Sequence, residues 1–429
     1  MDLKCFASAQ QFLSRRNFMR TAGVASAAVA AMPAFGLQSA ANQPAQAGQQ
    51  GMGRRGGMGA GGDDMGGGRR PMSPDTVIIS SNENPLGPAP CALEAISTAA
   101  KKGGRYDREY STAMTKAISD QFQLKPGYVR IYPGSGGPLD LALYSNIGPE
   151  KPLVLGDPSY EQGYRAAMTM KAKYIQVPLD KATYKFDVKA MLAAHPNPGA
   201  YYIVNPNNPT GTITPKEDIV WLVNNKPAGS VVIVDEAYHH FSNEDSVIDL
   251  VAQDKDIIVL RTFSKIYGMA GVRAGFAFGR PDLLARFETV TPNDRQIGSI
   301  SLTSAAAAAA SLNDKTLVPL RKKINRDTLD DTLAFLQKNG YKYVPGAQAN
   351  MFMVDVKRPG LDVQHAMMSE KVAIGRVWPI MPTYVRVTVG TPDEMKKFQT
   401  AFYKVMNEPT KPMAAHLERY DIPHELYRG

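Results

Sequence analysis

The amino-acid sequence predicts an α/β protein built on a largely parallel sheet. From residue 75 onward, short runs of β-branched and other apolar residues alternate with segments of helical pattern. Runs of this kind that end at turn residues are typical of buried strands joined by crossover helices. A chain of 429 residues also exceeds the usual size of one domain, so we expect a large domain and a smaller one.

Residues 1–47 predict a twin-arginine export signal. SRRNFMR at 14–20 precedes a modestly apolar, alanine-rich run at 21–37, and Ala45-Gln46-Ala47 has the small-x-small pattern of a cleavage site. The apolar run is too interrupted to predict a membrane span. A basic tail with a chance Arg-Arg pair is the alternative. We expect twin-arginine export to the periplasm and no stable membrane anchor once the signal is removed.

Residues 48–74 consist almost entirely of Gly, Met and charged residues, which cannot bury enough apolar surface to offset chain entropy. We interpret them as a flexible linker.

The net charge of the chain is +9, but residues 1–74 hold eight Lys or Arg against three Asp or Glu, which accounts for +5. The remaining charge is too small to indicate a nucleic-acid partner.

Four apolar runs predict strands of the large domain: YIVNP, SVVIVDEAY, DIIVLRTFS and GFAFG, beginning at residues 202, 230, 256 and 275. Helical pattern follows at 298–312 and continues to a glycine at 340. YKYVPG, ANMFMVDV and YVRVTVGT then predict short strands. The predicted boundaries are an amino-terminal arm at 75–105, a large domain at 106–312, a small domain at 313–407 and a tail at 408–429.

Polar side chains follow three of the predicted strands. Asp235 and Tyr238 come after VVIV, Asn208 after YYIV, and Lys265 after IIVLRTF. A lone lysine is usually a solvated surface charge, but Lys265 lies in a run of apolar and small residues. Because ligands of open α/β sheets bind beyond the carboxyl ends of the strands, we expect these four side chains to share one site.

A pyridoxal phosphate cofactor accounts for this set of residues. It requires a lysine for a Schiff base (aldimine), here Lys265, and an acid to keep its ring nitrogen protonated, here Asp235. Asn208 and Tyr238 can hydrogen-bond the ring oxygen, and Tyr160, in GDPSYEQGY after another strand, can stack on the ring. A core position is the alternative for an isolated tyrosine.

The cofactor phosphate needs a separate cradle. YPGSGGPLDLAL at 132–143 places Ser135 and Gly136 at the start of a predicted helix, where backbone N–H groups are available to an anion. Ser264 and Arg273 flank the lysine and complete the charge balance. A glycine-rich turn alone is weak support, because most such turns bind nothing.

Five motifs resemble those of the histidinol-phosphate aminotransferase branch of the fold-type I, class I/II pyridoxal-phosphate aminotransferases, in matching order across about residues 75–405. They are NENPLGP at 82–88, NPNNPTG at 205–211, DEAY at 235–238, TFSKIYGMAGVRAGF at 262–276 and VRVTVGTPDE at 385–394. The resemblance implies a large domain with a mainly parallel, seven-stranded type of sheet and a smaller carboxy-terminal α/β domain. It also implies transfer of an amino group from an amino acid or amine to a 2-oxo acid.

The resemblance further assigns roles outside the strand ends. Arg386 matches the arginine that pairs with the substrate carboxylate, a task that suits its planar fork. Tyr106, in GRYDREY, resembles the tyrosine that reaches the phosphate in the neighbouring subunit, which implies a homodimer with shared active sites. Asn84 is a candidate substrate contact, although packing of the arm explains it equally well.

The sequence departs from the family near the substrate. Relatives carry a second arginine directly before a proline, whereas this chain reads GRVWPIMP, with Trp378 in that position and Arg376 two residues earlier. If both lie on a strand, they share a face, and Arg376 could substitute for the missing arginine. Together with export, this departure leads us to expect a substrate other than histidinol phosphate.

Other interpretations remain open at the level of sequence. A pyridoxal-phosphate lyase resembling threonine-phosphate decarboxylase would use the same Lys265 and Asp235. A non-catalytic binding protein is disfavoured, because every expected cofactor residue is present. His239 and His240 follow DEAY on a predicted strand, where they would point to opposite faces, and no Cys or His at ligand spacing accompanies them, so we expect no metal site.

Overall fold

The computed structural model describes residues 73–290 and 299–408. The predicted export signal at 1–47, almost all of the predicted linker and all but the first residue of the predicted tail lie outside the described residues. The predicted domain boundaries within the body remain predictions.

A seven-stranded sheet forms the centre of the molecule and confirms the predicted fold class. Its strand order is β2-β8-β7-β6-β5-β3-β4, and β8 alone runs antiparallel to its neighbours. The central strands are buried on both faces, which explains their nearly continuous β-branched and aromatic composition. The strands are β2 (Val129–Tyr132), β3 (Leu153–Asp157), β4 (Tyr174–Pro178), β5 (Ala200–Val204), β6 (Val231–Asp235), β7 (Ile257–Thr262) and β8 (Gly275–Gly279).

Two smaller strand pairs lie outside the central sheet. The amino-terminal β1 (Val77–Ile79) pairs in parallel with β10 (Val372–Ile374), although almost 300 residues separate them. The strands β9 (Met351–Asp355) and β11 (Tyr384–Thr388) pair antiparallel. These four strands come from ANMFMVDV, YVRVTVGT and two segments that the sequence pattern did not identify as strands.

Helices cover the faces of the central sheet and surround the smaller pairs. In chain order they are α1 (Pro90–Ala100), α2 (Glu109–Phe122), α3 (Gly136–Tyr144), α4 (Gln162–Thr169), α5 (Val188–Ala193), α6 (Lys216–Asn225), α7 (Ile248–Ala252), α8 (Pro281–Ala285), α9 (Phe287–Val290), α10 (Leu302–Asn313), α11 (Leu317–Lys338), α12 (Gly360–Ser369) and α13 (Pro392–Asn407). Ser301 caps α10, and Thr391 with Glu394 forms a capping box at α13. Gly340, with φ of 74°, follows α11 and ends that helix as predicted.

Apolar side chains form two main clusters. The larger packs both faces of the central sheet and includes the alanine-rich α10, whose small side chains allow close packing against α1 and α2. The other contains β1, β9, β10 and β11 together with apolar positions of α11, α12 and α13. The amino-terminal segment therefore contributes to both clusters, β1 to the second and α1 to the first.

Some local predictions are wrong. The segment YKYVPG is not a strand, since only Tyr343 makes an isolated bridge, to Val354. The helix predicted at 298–312 begins at Leu302, because Ser301 caps it. His239 and His240 lie in a short 3-10 helix, His239–Phe241, rather than on a strand.

Candidate active site

The predicted site residues gather at the carboxyl edge of the central sheet. Asp235 is the last residue of β6, Asn208 follows β5, Tyr160 follows β3, and Lys265 follows β7. Because β3, β5, β6 and β7 are parallel, their carboxyl ends meet at one edge, as predicted. Residues that are far apart in the sequence therefore lie in one cluster.

Asp235 is a buried carboxylate at the centre of this cluster, with 4% of its surface exposed. Its Oδ1 accepts a hydrogen bond from the Ala237 N–H (3.0 Å), and its Oδ2 lies 3.4 Å from the donating hydroxyl of Tyr202. Burial raises the pKa of Asp235 to about 6, although these two donors act in the opposite direction. Such a carboxylate gains from a cationic ligand group, because an ion pair offsets its desolvation.

Lys265 and Tyr238 lie close to each other and near Asp235. The Nζ of Lys265 is 5.3 Å from the centre of the Tyr238 ring and 3.4 Å from the Ser81 carbonyl, to which it donates. The Tyr238 hydroxyl accepts a hydrogen bond from Nδ2 of Asn82 (3.1 Å), and burial raises the pKa of Tyr238 to about 12. Tyr238 is therefore a neutral hydrogen-bonding group at ordinary pH.

The predicted phosphate cradle consists of two loops that meet at Arg273. The Arg273 Nη1 donates to the Ser264 hydroxyl (3.3 Å), and its Nη2 donates to the Pro133 carbonyl (3.3 Å). A Cβ at Gly134 would lie 2.5 Å from Arg273 Nη2, so only glycine permits this contact. Ser135 precedes α3 without capping it, and the helix begins at Gly136 as predicted.

Arg386, on β11, is buried beside Asn208. Its Nη1 donates to the Asn208 Oδ1 (2.8 Å), and its Nη2 donates to the Ser80 carbonyl (2.5 Å). The arginine predicted to bind a carboxylate is therefore next to a residue predicted to contact the cofactor ring. The structure brings together a lysine, an acid, a tyrosine, an asparagine and an arginine in one cluster.

Arg376 and Trp378 do not lie on a strand, which corrects the prediction that they share a strand face. β10 ends at Ile374, and both residues follow it in a loop. The Arg376 guanidinium instead stacks on the Trp378 ring, with Cζ 5.2 Å from the ring centre, and pairs with Glu161 (Nη2 to Oε2, 2.6 Å). Trp378 itself is buried, and its Nε1 donates to the Ser159 carbonyl (3.3 Å).

Two predicted residues lie outside the cluster. Tyr106 is fully exposed to solvent in the segment before α2. The Asn84 Nδ2 donates to the Ile266 carbonyl (3.0 Å), so Asn84 holds the loop that carries Lys265. Packing of the arm thus accounts for the contact of Asn84 in this structure.

Sequence reasoning missed three groups that contact the site residues. Asn82 binds the Tyr238 hydroxyl, Tyr202 contacts Asp235, and Glu161 pairs with Arg376. The only local signals were the position of Asn82 in NENPLGP and of Glu161 directly after Tyr160. The partners of Asn82 and Glu161 are 156 and 215 residues away in the chain, so no local pattern could pair them.

The fold and the site define a pyridoxal-phosphate-dependent enzyme. The chain belongs to the class I and II aminotransferases, because the model of that family matches residues 74–402. The histidinol-phosphate aminotransferase of Moorella thermoacetica is 30% identical over 341 residues, which cover 77% of this chain and 86% of that protein. This enzyme is an aminotransferase, and the decarboxylase alternative is not favoured.

Solved structures agree with this assignment. A candidate histidinol-phosphate aminotransferase of Erwinia carotovora atroseptica superimposes with a TM-score of 0.73 and 31% identity, over 77% of this chain and 96% of that one. The histidinol-phosphate aminotransferase of Sinorhizobium meliloti, solved in complex with pyridoxal-5'-phosphate, superimposes with a TM-score of 0.68 and 24% identity, over 77% and 90%. At 24% identity, the likeness to the Sinorhizobium meliloti structure shows a shared fold and no more.

The residues present fit pyridoxal phosphate. The desolvated Asp235 suits a protonated ring nitrogen, Lys265 suits the aldehyde, and the Arg273 cradle suits the phosphate.

Within residues 73–290 and 299–408, no three His, Cys, Asp or Glu side chains converge as they would around a metal ion. Over the same ranges, the structure contains no helix with the length and apolarity needed to cross a membrane.

Proposed function

We propose that this aminotransferase moves an amino group from an amino acid or amine other than histidinol phosphate to a 2-oxo acid. The supporting observation is the Arg376–Glu161 pair at 2.6 Å. Trp378 stands where relatives carry a second arginine, and Arg376, the nearby cation, already has a carboxylate partner. A substrate phosphate would have to compete with that carboxylate.

The residues of the site have separate tasks in this reaction. When bound, pyridoxal phosphate supplies an aldehyde that reacts with amines and a ring that withdraws electrons from the adjoining carbon. Asp235 would hold the ring nitrogen protonated, while Asn208 and Tyr238 would hold the ring oxygen. Arg386 binds the α-carboxylate in bidentate fashion, and the Nζ of Lys265 accepts the α-proton as a general base.

An absorption experiment tests this assignment. The purified enzyme with its cofactor is recorded before and after addition of single amino donors, and then of 2-oxo acids. We expect a visible band that depends on Lys265, falls with a suitable donor and recovers with an acceptor. Lys265→Ala should lack the band and the exchange, whereas a matched Lys→Ala change at the exposed Lys116 should retain both. A band that never cycles with any donor and acceptor would contradict amino transfer.

The exclusion of histidinol phosphate needs its own measurement. The kcat/KM for histidinol phosphate is compared with the values for a panel of free amino acids under the same acceptor. We expect at least one free amino acid to exceed histidinol phosphate. Turnover of histidinol phosphate far above every free amino acid would refute the proposal.

We also propose that the chain is exported by the twin-arginine route and acts in the periplasm as a homodimer with shared sites. The Arg15-Arg16 pair and the full exposure of Tyr106 support these two points. Replacement of Arg15 and Arg16 by Lys should retain the protein in the cytoplasm. Light scattering should give twice the chain mass, and a monomer with full activity would contradict the shared site.

A further inference from the structure

Asn82, in the amino-terminal segment, contacts both strands of the β9–β11 pair and one residue of the cofactor site. It is buried, with 1% of its surface exposed, and its φ of 53° is a left-handed conformation that asparagine adopts more readily than most residues. Its Nδ2 donates to the Tyr238 hydroxyl (3.1 Å) and lies 2.7 Å from the Met351 sulfur. Asn82 is therefore a fixed polar group beside a tyrosine predicted to contact the cofactor ring.

Thr388, on β11, determines which end of the Asn82 amide faces Tyr238. The Asn82 backbone N–H donates to the Thr388 Oγ1 (2.9 Å), so the hydroxyl hydrogen of Thr388 is available for the Asn82 Oδ1, 3.0 Å away. With Oδ1 held in this way, the Nδ2 group faces Tyr238. The Met351 sulfur favours the same orientation, because a thioether accepts weakly and cannot donate. Asn82 is thus a donor toward the Tyr238 hydroxyl.

This donation affects how Tyr238 uses its own hydroxyl hydrogen. Because the oxygen accepts from Asn82, the hydrogen is not used toward Asn82 and can be donated to the ring oxygen of the cofactor. A hydroxyl that accepts one hydrogen bond donates a stronger one, since linked hydrogen bonds polarise each other. Burial raises the pKa of Tyr238 to about 12, and the bond from Asn82 opposes that rise.

We infer that Asn82 is a positioning residue that strengthens the hydrogen bond from Tyr238 to the cofactor ring oxygen and thereby lowers the pH at which the Lys265 nitrogen loses its proton. A negatively charged ring oxygen attracts the proton on that nitrogen. A stronger bond from Tyr238 disperses the negative charge, so the proton is held less tightly. The Lys265 Nζ lies 5.3 Å from the centre of the Tyr238 ring. This role rests on the proposed placement of the cofactor and is independent of the amino donor.

Ionisable groups from several elements also act on Tyr238. They are Asp235 on β6, Tyr202 on β5, Arg386 on β11, Tyr160 after β3, Lys265 after β7 and Arg376 after β10. Asn82 carries no charge, so its replacement by another neutral residue changes none of these charges. A change in the titration of the Lys265 nitrogen after such a replacement therefore reports the lost hydrogen bond.

A pH titration of the visible absorption band tests the role of Asn82. In the enzyme with its cofactor, this band depends on Lys265 and changes as the Lys265 nitrogen loses its proton. Asn82→Leu keeps a branched side chain of similar size and removes the donor. We expect the pH midpoint to rise by about half a unit, which is within the worth of one neutral hydrogen bond. An unchanged midpoint would overturn the inference.

A double-mutant cycle separates action through Tyr238 from general damage to the amino-terminal segment. Tyr238→Phe removes the hydroxyl, so adding Asn82→Leu to it should move the midpoint no further. Asn350→Ala is the matched control, because it removes two hydrogen bonds from the same segment, at the carbonyls of Asn82 and Glu83, and none at Tyr238. It should leave the midpoint unchanged. Equal shifts with and without the Tyr238 hydroxyl, or an equal shift in Asn350→Ala, would refute a role through Tyr238.

A second pair of variants decides the question if Asn82→Leu fails to fold or to retain the cofactor. Thr388→Val has nearly the same shape but lacks the hydroxyl that orients the Asn82 amide, whereas Thr388→Ser keeps that hydroxyl. We expect Thr388→Val to raise the midpoint and Thr388→Ser to leave it at the wild-type value. Identical midpoints in these two variants would contradict the inference.

A measurement on the full chain without cofactor gives a readout that is independent of the band. Fluorotyrosine is incorporated at position 238, where fluorine makes the phenol more acidic, and the fluorine resonance is followed as the pH is raised. We expect Asn82→Leu to raise the midpoint of this titration, because the bond from Asn82 opposes the effect of burial. A midpoint that stays the same or falls would count against the inference. Failure of the proposed function has a different signature, namely a lysine-dependent band that no donor changes at any pH.

Discussion

Asp235 combines full desolvation with a position at the end of a central strand. Burial raises its pKa to about 6, so the folded, cofactor-free protein holds a proton there that the unfolded chain releases near pH 4. An acid with a raised pKa contributes stability below its unfolded pKa, and that contribution is lost as the pH rises through the folded value. The protonated ring nitrogen of the cofactor would offset the cost of burying the charged Asp235 carboxylate. Cofactor binding is therefore coupled to the ionisation of Asp235.

Asp235→Asn should therefore change the pH dependence of stability. For the cofactor-free protein, we expect the free energy of unfolding of the variant, relative to wild type, to rise by about 2 kcal/mol between pH 4 and pH 7. Denaturant unfolding at several pH values measures this difference. The same change at the exposed Asp120 is the control, and a difference that stays flat with pH would show that Asp235 is not the responsible group. Cofactor affinity should fall in Asp235→Asn.

Gly375 leaves room for the backbone and side chain of Arg386. A Cβ at this position would lie 2.7 Å from the Arg386 carbonyl oxygen and 3.0 Å from its Nε. Gly375→Ala should displace the guanidinium and raise KM for the amino donor about tenfold, with a smaller effect on kcat, since carboxylate binding is lost first. Gly148→Ala, where a Cβ meets nothing within 4 Å, is the control. An unchanged KM would show that Arg386 does not bind the substrate carboxylate.

At the scale of elements, the loop between β7 and β8 is held by the amino-terminal segment. Gly268 has φ of 65°, and a Cβ on it would lie 2.1 Å from the Gly87 carbonyl oxygen. Arg321, on α11, donates to the carbonyls of Ile266 (3.0 Å) and Gly87 (2.6 Å) and ties the two segments together. The position of Lys265 thus depends on contacts from residues that precede it by almost 180 positions.

Gly268→Ala should disturb this loop. We expect a loss of about 3 kcal/mol in the free energy of unfolding, from backbone strain plus the clash with Gly87, together with weaker cofactor retention. Gly229→Ala is a matched control, because its φ of 84° is similar but a Cβ there meets no atom within 4 Å. It should lose only about 1 kcal/mol. Equal losses in the two variants would mean that the Gly87 contact contributes nothing.

The sequence predicted elements with a single strong pattern and failed at those that depend on distant partners. β5, β6 and β7 were predictable because burial on both faces demands continuous apolar runs. β1 and β10 have three residues each and pair with each other across almost 300 residues of sequence, which no local pattern reveals. The loop at Arg376 and Trp378 was mistaken for a strand, since the spacing of two residues cannot reveal an ion pair with Glu161.

For the whole molecule, the amino-terminal segment joins the two apolar clusters. Asn350 donates to the carbonyls of Asn82 and Glu83 (both 3.1 Å), and the Asn82 N–H donates to Thr388 (2.9 Å). The side chain of Asn82 reaches Tyr238 in the cofactor site. The site lies where both clusters contribute residues, so the fold could be predicted from strand patterns, whereas this junction could not.

Shared contacts of this kind predict cooperative unfolding. We expect one calorimetric transition both with and without cofactor, with calorimetric and van't Hoff enthalpies in agreement, and a lower Tm after cofactor removal. Loss of the cofactor removes a ligand of the folded state without separating the clusters. Two resolved transitions in the cofactor-free protein would show that the clusters unfold independently. Asn350→Ala, which removes the hydrogen bonds to Asn82 and Glu83, should bring the protein closer to independent unfolding of the two clusters.

The pairing of β1 with β10 limits how the chain can be shortened or tagged. Residues 77–82 supply the neighbour of β10, the carbonyls that accept from Arg386 and Lys265, and the amide that binds Tyr238. A recombinant version for crystallisation should therefore begin no later than Val77, and an affinity tag belongs upstream of Ser73, with a spacer. A chain that began at residue 83 would lack these contacts with β10, Arg386, Lys265 and Tyr238. The sequence alone makes the removed segment look like a dispensable leader.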